Sequence, residues 1–258
     1  MGKRMSRPNG PDAENALLAR LRATPAVALL LDYDGTIMPF ARTPELARPD
    51  PPLLELLGAL AKRPATHVHI VSGRTRESLV EFVGHLPLGL HAEHGLWSRM
   101  TGGPWTQRPL ADIGWIPLAK EILDDAAART PGSFVETKVG GFSWHYRAAP
   151  DALGRDHALA VLSTLRRLLA DTTAEVFTGD HVVEVRPLGI HKGLVVPAIT
   201  IAAPAGAAIV GMGDDVTDED LLAATPIRVR VGPREGDAEL ALADPHAARA
   251  WLAKLLLP

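Results

Sequence analysis

The 258-residue sequence contains no cysteine. That absence excludes disulfides, cysteine-ligated zinc and thiol nucleophiles, and leaves the redox compartment undecided. A basic surplus is also missing: 27 Lys and Arg stand against 30 Asp and Glu, a formal net charge of −3. The chain therefore carries no electrostatic footprint for nucleic acid. No stretch approaches the roughly 18 consecutive apolar residues of a membrane span. Met1 to Pro11 is polar and basic without an apolar segment, so it does not read as a signal peptide. A disordered or helical lead-in over 1–24 and a cytoplasmic location are the expectations. Several motifs are absent too. There is no H-E-x-x-H and no G-x-S-x-G, and Gly211-Met212-Gly213 fails as a dinucleotide loop because Val216 stands where its last glycine belongs. The ten histidines show no tight ligand pairing, and His67 and His69 read as structural residues of a strand.

What is present is an alternation. Ala26–Leu31 is an apolar run of the kind buried in a parallel sheet. A proline-led helical pattern follows over Leu53–Lys62, then a strand over Thr66–Val71, a helix over about Arg76–Gly84 and a strand over Leu88–Ala92. This rhythm predicts an α/β fold with a doubly wound parallel sheet. It breaks near Thr101-Gly102-Gly103-Pro104. Beyond it the patterning predicts a helix (116–129), strands (133–138, 142–147), a helix (151–169) and a hairpin (174–178, 182–186), an α+β module with antiparallel pairing. After Arg186 the first rhythm returns: a helix from His191, a strand over Ala207–Gly211, a helix from about Thr217, a strand over Ile227–Val231 and a closing helix over Pro245–Leu257. The expected organisation is a sheet domain (25–101 and 187–258) interrupted by a smaller α/β insert (102–186).

Ligands of open parallel sheets bind beyond the carboxyl ends of the strands, and there the polar residues collect. Asp32 and Asp34 leave the first strand, Ser72-Gly73 the second and Gly213-Asp214-Asp215 a later one, while Lys192 opens a helix. Asp32 and Asp34 are two apart and project to one side of an extended chain. Carboxylates that close repel unless a cation lies between them or one is protonated. Asp214, with Asp215 or Asp218 behind it, adds oxygens for a hard cation such as Mg²⁺. Lys192 would neutralise further charge, and Ser72-Gly73 would receive an anion. Together the set suits phosphoryl transfer through a covalent aspartyl-phosphate. Singly, each feature has a plainer reading: Asp-x-Asp-Gly as a turn or a broken calcium loop, Ser72-Gly73-Arg74 as a turn, the acidic run 214–220 as a helix start, Lys192 as a surface lysine. Placement at one sheet edge is what joins them.

These motifs resemble those of the haloacid dehalogenase-like phosphatases: Asp32-Tyr33-Asp34-Gly35-Thr36, Ser72-Gly73-Arg74, Lys192, and Gly213-Asp214-Asp215-Val216-Thr217-Asp218-Glu219. Narrower features are similar to the trehalose-6-phosphate phosphatases within that superfamily: Ala92-Glu93-His94-Gly95, Glu136-Thr137-Lys138 with Ser143–Arg147, and Val183-Glu184-Val185-Arg186-Pro187 leading to Lys192. The resemblance implies that the insert is a cap domain. It implies Asp32 as nucleophile, Asp34 as proton donor and then base, and Ser72 and Lys192 as the phosphoryl-binding pair. Mg²⁺ would rest on Asp32, the Asp34 carbonyl and Asp214, with Asp218 and Asp215 behind. Lys138, Glu184 and Arg186 would contact sugar, with Gly73, Arg74, Glu93, His94 and Arg147 as further substrate residues. From spacing alone, the faces bearing Glu136 and Lys138, and His145 and Arg147, read as a solvated outer sheet surface. One departure is Leu222, where the family often has Phe. The implied partner is a disaccharide phosphate, with no nucleic acid or membrane partner and a monomeric state. The rival readings are a phosphatase for another sugar phosphate (sucrose phosphate or glycosyl-3-phosphoglycerate) and a non-catalytic module that senses a sugar phosphate. The second should have lost the nucleophile, the lysine or the metal acids, all of which are present.

Overall fold

The computed structural model describes residues 10–110 and 112–257; of the lead-in expected over 1–24, residues 1–9 lie outside them, and Pro11–Ala23 is an α-helix. Contacts divide the chain into two compact units. One comprises residues 1–40, 47–106 and 191–258, the other 41–46 and 107–190.

The first unit is built on a sheet whose centre is the predicted apolar run. Strand β1 (Val27–Leu31) is buried throughout. It pairs in parallel with β2 (Thr66–Val71) on one side and β10 (Ala208–Gly213) on the other. Outward from β2 lie β3 (Gly89–Ala92), antiparallel β4 (Trp97–Arg99) and β5 (Thr106–Gln107). Outward from β10 lie parallel β11 (Ile227–Val231) and β12 (Leu240–Leu242). The order is β12-β11-β10-β1-β2-β3-β4-β5, the doubly wound arrangement expected.

Alternation along β1 explains the layers. Val27, Leu29 and Leu31 enter a core shared with α1 (Pro11–Ala23), α2 (Pro51–Lys62), α3 (Arg76–Val83) and α8 (Pro245–Lys254). Ala28 and Leu30 point the other way, into a core shared with α6 (Val196–Ala202) and α7 (Glu219–Ala224). Burial on both faces is why the strand carries no polar residue until it ends.

Two helix starts differ from expectation. The helix read from His191 begins as a 3-10 turn, Lys192–Val195, and becomes α-helical only at Val196. Pro197 sets that point, since its missing N–H is tolerated only in a first helical turn. Likewise a 3-10 turn over Val216–Asp218, capped by the Asp215 carboxylate, precedes α7.

The second unit carries an antiparallel sheet of order β6-β7-β9-β8: β6 (Phe134–Thr137), β7 (Phe142–His145), β9 (Val182–Pro187) and β8 (Ala174–Gly179). Helices α4 (Ile116–Arg129) and α5 (Asp151–Leu168) cover one face, where Trp144, Val183, Leu123 and Leu165 are buried. Among the described residues, no helix is long and apolar enough to cross a membrane.

Candidate active site

All the acids expected at the sheet edge lie in the first unit, and the structure sorts them into distinct partnerships. Asp32 follows the last residue of β1, its N–H bonded to the Met212 carbonyl of β10. Its side chain is buried, with one oxygen 2.6 Å from Lys192 Nζ and the other 3.2 Å from Thr36 Oγ1. Lys192 is also buried, and its ammonium donates at 2.6 Å to Asp218 as well. The other Asp218 oxygen accepts the backbone N–H groups of Asp214 and Asp215, both at 3.1 Å, and so shapes the loop that presents Asp214. Thr36 closes the circuit by donating to Asp214 at 2.6 Å. Thr36 lies inside the first motif but sequence reasoning gave it no role.

Carboxylate oxygens of Asp32, Asp214 and Asp218 lie within 4.8 Å of one another. Three acids facing one ammonium leave an excess of negative charge in a buried place. Burial first, and then Asp218, pushes the Asp32 carboxyl up to about 7. Burial and the neighbouring Asp32 push Asp214 up to about 9. Burial works against the Lys192 ammonium, but Asp218 and Asp32 outweigh it and hold its pKa above the ordinary lysine range. Buried, all-oxygen and over-charged, this donor set fits a hard divalent cation such as Mg²⁺. Gly35 makes room for it: at φ +82°, a Cβ there would sit 2.2 Å from Asp214 Oδ2.

Asp34 stands apart from that cluster. Both its oxygens are taken by Arg74, at 2.7 Å each. The Arg74 guanidinium also donates to Ser78 Oγ and lies over the Phe82 and Tyr33 rings, 4.8 and 5.1 Å from their centroids. Asp215 is likewise turned away, its carboxylate accepting the Val216 N–H. Asp34 and Asp215 thus bring no side-chain oxygen to the Asp32–Asp214–Asp218 group.

Ser72 leaves β2 with its Oγ accepting the Arg74 N–H at 3.2 Å. Gly73 allows His94 to close on this turn, because a Cβ at 73 would meet the imidazole at 2.8 Å. Glu93 N–H bonds to Arg74 O and His94 N–H to Ser72 O, which ties the two motifs together by backbone alone. Glu93 and His94 hold φ of +46° and +57°, ahead of Gly95 at +90°. Non-glycine residues in that region cost about 1–3 kcal/mol each.

The remaining candidates lie in the second unit. The row Glu136, Ser143, Glu184 and Phe177 crosses its four strands in register, on the face opposite the helices. Lys138, just beyond β6, reaches Glu184 at 3.0 Å, both side chains buried. Arg186 lies 3.9 Å over the Phe177 ring, and His145 meets Glu136 at 3.0 Å. Arg147 is directed elsewhere, onto the Asp180 carbonyl and carboxylate of the β8–β9 hairpin.

Comparison with known proteins follows this geometry. The sequence profile described as trehalose-phosphatase matches residues 30–226. A bifunctional trehalose-6-phosphate synthase/phosphatase of Thermoproteus tenax is 40% identical over 233 residues, covering 89% of this chain and 32% of the relative. A trehalose-phosphatase of Saccharomyces cerevisiae is 33% identical over 214 residues, covering 74% of this chain and 24% of the relative. The chain thus spans about a third or less of the length of these relatives. The solved C-terminal domain of the C. albicans trehalose-6-phosphate phosphatase superposes with a TM-score of 0.90 at 28% identity, covering 98% of this chain and 99% of that one.

Proposed function

Since the chain belongs to the trehalose-phosphatase family, we propose that it is a phosphoric monoester hydrolase that releases phosphate from trehalose 6-phosphate. The observation that carries the chemistry is Lys192, buried and bridging Asp32 and Asp218. A buried ammonium held against one carboxylate of a crowded group fixes that carboxylate in place, as a nucleophile requires.

The reaction runs in two displacements. Asp32 forms a bond to phosphorus as the bond to the sugar oxygen breaks, and Asp34 supplies the proton that the leaving oxygen needs. Asp34 then takes a proton from water, the water oxygen bonds to phosphorus, and Asp32 is freed with inorganic phosphate. Arg74 engages both Asp34 oxygens, so each proton transfer requires one of those bonds to open. Ser72 and Lys192 would hold the phosphoryl oxygens. Asp32 and Asp214, with the Asp34 carbonyl, would hold Mg²⁺, which when bound offsets the negative charge of the phosphoryl group and the acids. Thr36 and Asp218 keep Asp214 oriented through the bonds described. In the second unit, Lys138, Glu184 and Arg186 form the polar face suited to sugar hydroxyls.

The test is phosphate release across a panel of trehalose 6-phosphate, sucrose 6-phosphate, glucosyl-3-phosphoglycerate and glucose 6-phosphate, with Mg²⁺ and with chelator. Mg²⁺-dependent release favouring trehalose 6-phosphate supports the reading. Equal rates on glucose 6-phosphate would overturn the disaccharide assignment, and binding without turnover would restore the sensing module.

A further inference from the structure

One charged residue far along the chain grips the loop that follows the first motif. The Arg249 guanidinium, on α8, donates from Nε to the Ile37 carbonyl at 2.6 Å. One terminal nitrogen bonds both Asp50 oxygens, at 2.9 and 2.7 Å, and the other lies 3.0 Å from Met38 Sδ. Asp50 is itself fixed, because its carboxylate caps α2 by accepting the Leu53 N–H. The Arg249 side chain is only 13% exposed and Ile37 is buried, so the bond to the Ile37 carbonyl forms largely out of water, where it is stronger, whereas the Asp50 side chain is 45% exposed.

The gripped loop is tightly wound. Ile37 and Met38 N–H groups both reach the Tyr33 carbonyl, and Gly35 N–H reaches the Met38 carbonyl. Between Gly35 and Ile37 stands Thr36, whose hydroxyl joins Asp32 and Asp214. The Ile37 carbonyl, one peptide away, is where Arg249 holds. Arg249 also lies beyond residues 30–226, the span that the family profile matches.

We propose that Arg249 is a positioning residue for the nucleophile loop, pinning the Ile37 carbonyl so that Thr36 and Asp34 keep their places during turnover. The proposal rests on the phosphatase reading for its kinetic half only. Small misplacements of reacting groups cost rate more than ground-state binding. Arg249→Leu should therefore lower kcat on the order of tenfold or more while KM stays within about twofold. Amide exchange at Gly35 and Met38 should accelerate by a similar factor in the same variant, and Arg249→Lys should recover part of both.

The experiment compares wild type, Arg249→Leu, Arg249→Lys and Leu255→Val, the last a change in the buried core beside α8, by phosphate release, melting temperature and hydrogen–deuterium exchange. Loss of kcat with faster loop exchange in Arg249→Leu, and neither in Leu255→Val at a comparable loss of melting temperature, supports the pin. Unchanged turnover in Arg249→Leu overturns it, as does an equal loss of kcat in Leu255→Val. Should wild type release no phosphate, the proposed function fails, and exchange alone decides: faster exchange at Gly35 and Met38 supports the pin, unchanged exchange overturns it.

Discussion

Both units bury ionic groups, but with different charge balance. In the first unit, Asp32, Asp214 and Asp218 crowd around Lys192, and the carboxyls of Asp32 and Asp214 are pushed up. In the second, Lys138 and Arg186 equal Glu184 and Glu136 in number, with Lys138 paired to Glu184 and His145 hydrogen-bonded to Glu136. There burial would raise Glu136, yet the bond from His145 and the charge of Lys138 outweigh it and hold the carboxyl below its usual range. A balanced set is at rest with what the chain itself supplies. An unbalanced one demands a positive partner from outside, and this contrast underlies the proposal of a metal and phosphoryl site in the first unit and a surface for neutral hydroxyls in the second.

The contrast can be broken or sharpened at five points. If Asp32 is the proposed nucleophile, Asp32→Asn should abolish phosphate release, by at least about a thousandfold, since the nearby Asp214 and Asp218 are held by Thr36 and Lys192; circular dichroism should show the fold intact. Lys192→Met removes the one ammonium from the unbalanced set and should cost about 3–5 kcal/mol, read from denaturant midpoints. Third, acid should weaken the first unit through a group outside the cluster. His69 is buried in the sheet 3.1 Å from His91, and burial lowers its pKa to about 4 from 6.5. The unfolded chain binds the proton more readily, so this contribution is complete above pH 6.5 and falls away as pH drops toward 4, a change of about 3 kcal/mol. The stability difference between wild type and His69→Gln, followed from pH 7 to pH 4, isolates it.

Fourth, Mg²⁺ should raise the melting temperature, equivalent to about 2.7 kcal/mol at a concentration one hundred times its Kd, and Asp214→Asn should remove that shift. The smallest effect belongs to the balanced unit. Lys138→Met should cost about 1–3 kcal/mol and raise KM for the sugar phosphate, while hydrolysis of p-nitrophenyl phosphate stays unchanged. A comparable fall in both substrates would erase the distinction between the units.

Much of this was legible in the sequence because local pattern and tertiary role coincide. β1 is an apolar run buried in a parallel sheet, β2 and β11 are β-branched segments in which valine and isoleucine alternate with His or Arg, and α4 carries its own periodicity and its proline start. The three-residue strands β4 and β12 were not legible, since segments so short form only against a neighbour already in place. At the site, Asp32, Lys192 and Asp214 were visible as residues at strand ends and helix starts. Their pairings were not. Two acids two residues apart were read as one pair, whereas Lys192 holds Asp32 and Arg74 holds Asp34. Partners drawn from 40 to 212 residues away leave no periodic trace, and neither Arg74's grip on Asp34 nor Arg249's on Ile37 could be read from spacing.

Three successive residues, Glu93 to Gly95, take the left-handed conformation, and only the last is glycine. The chain is not short of glycine, with 23 in all, so the shape itself could have been had without steric strain. Glycine at 93 or 94 would relax the backbone and leave its bonds to Ser72 and Arg74 available, because those use main-chain atoms alone. What would vanish is a carboxylate and an imidazole. The strain is therefore borne by a turn that holds a carboxylate and an imidazole in the interior, and a glycine there would release the one only by giving up the other.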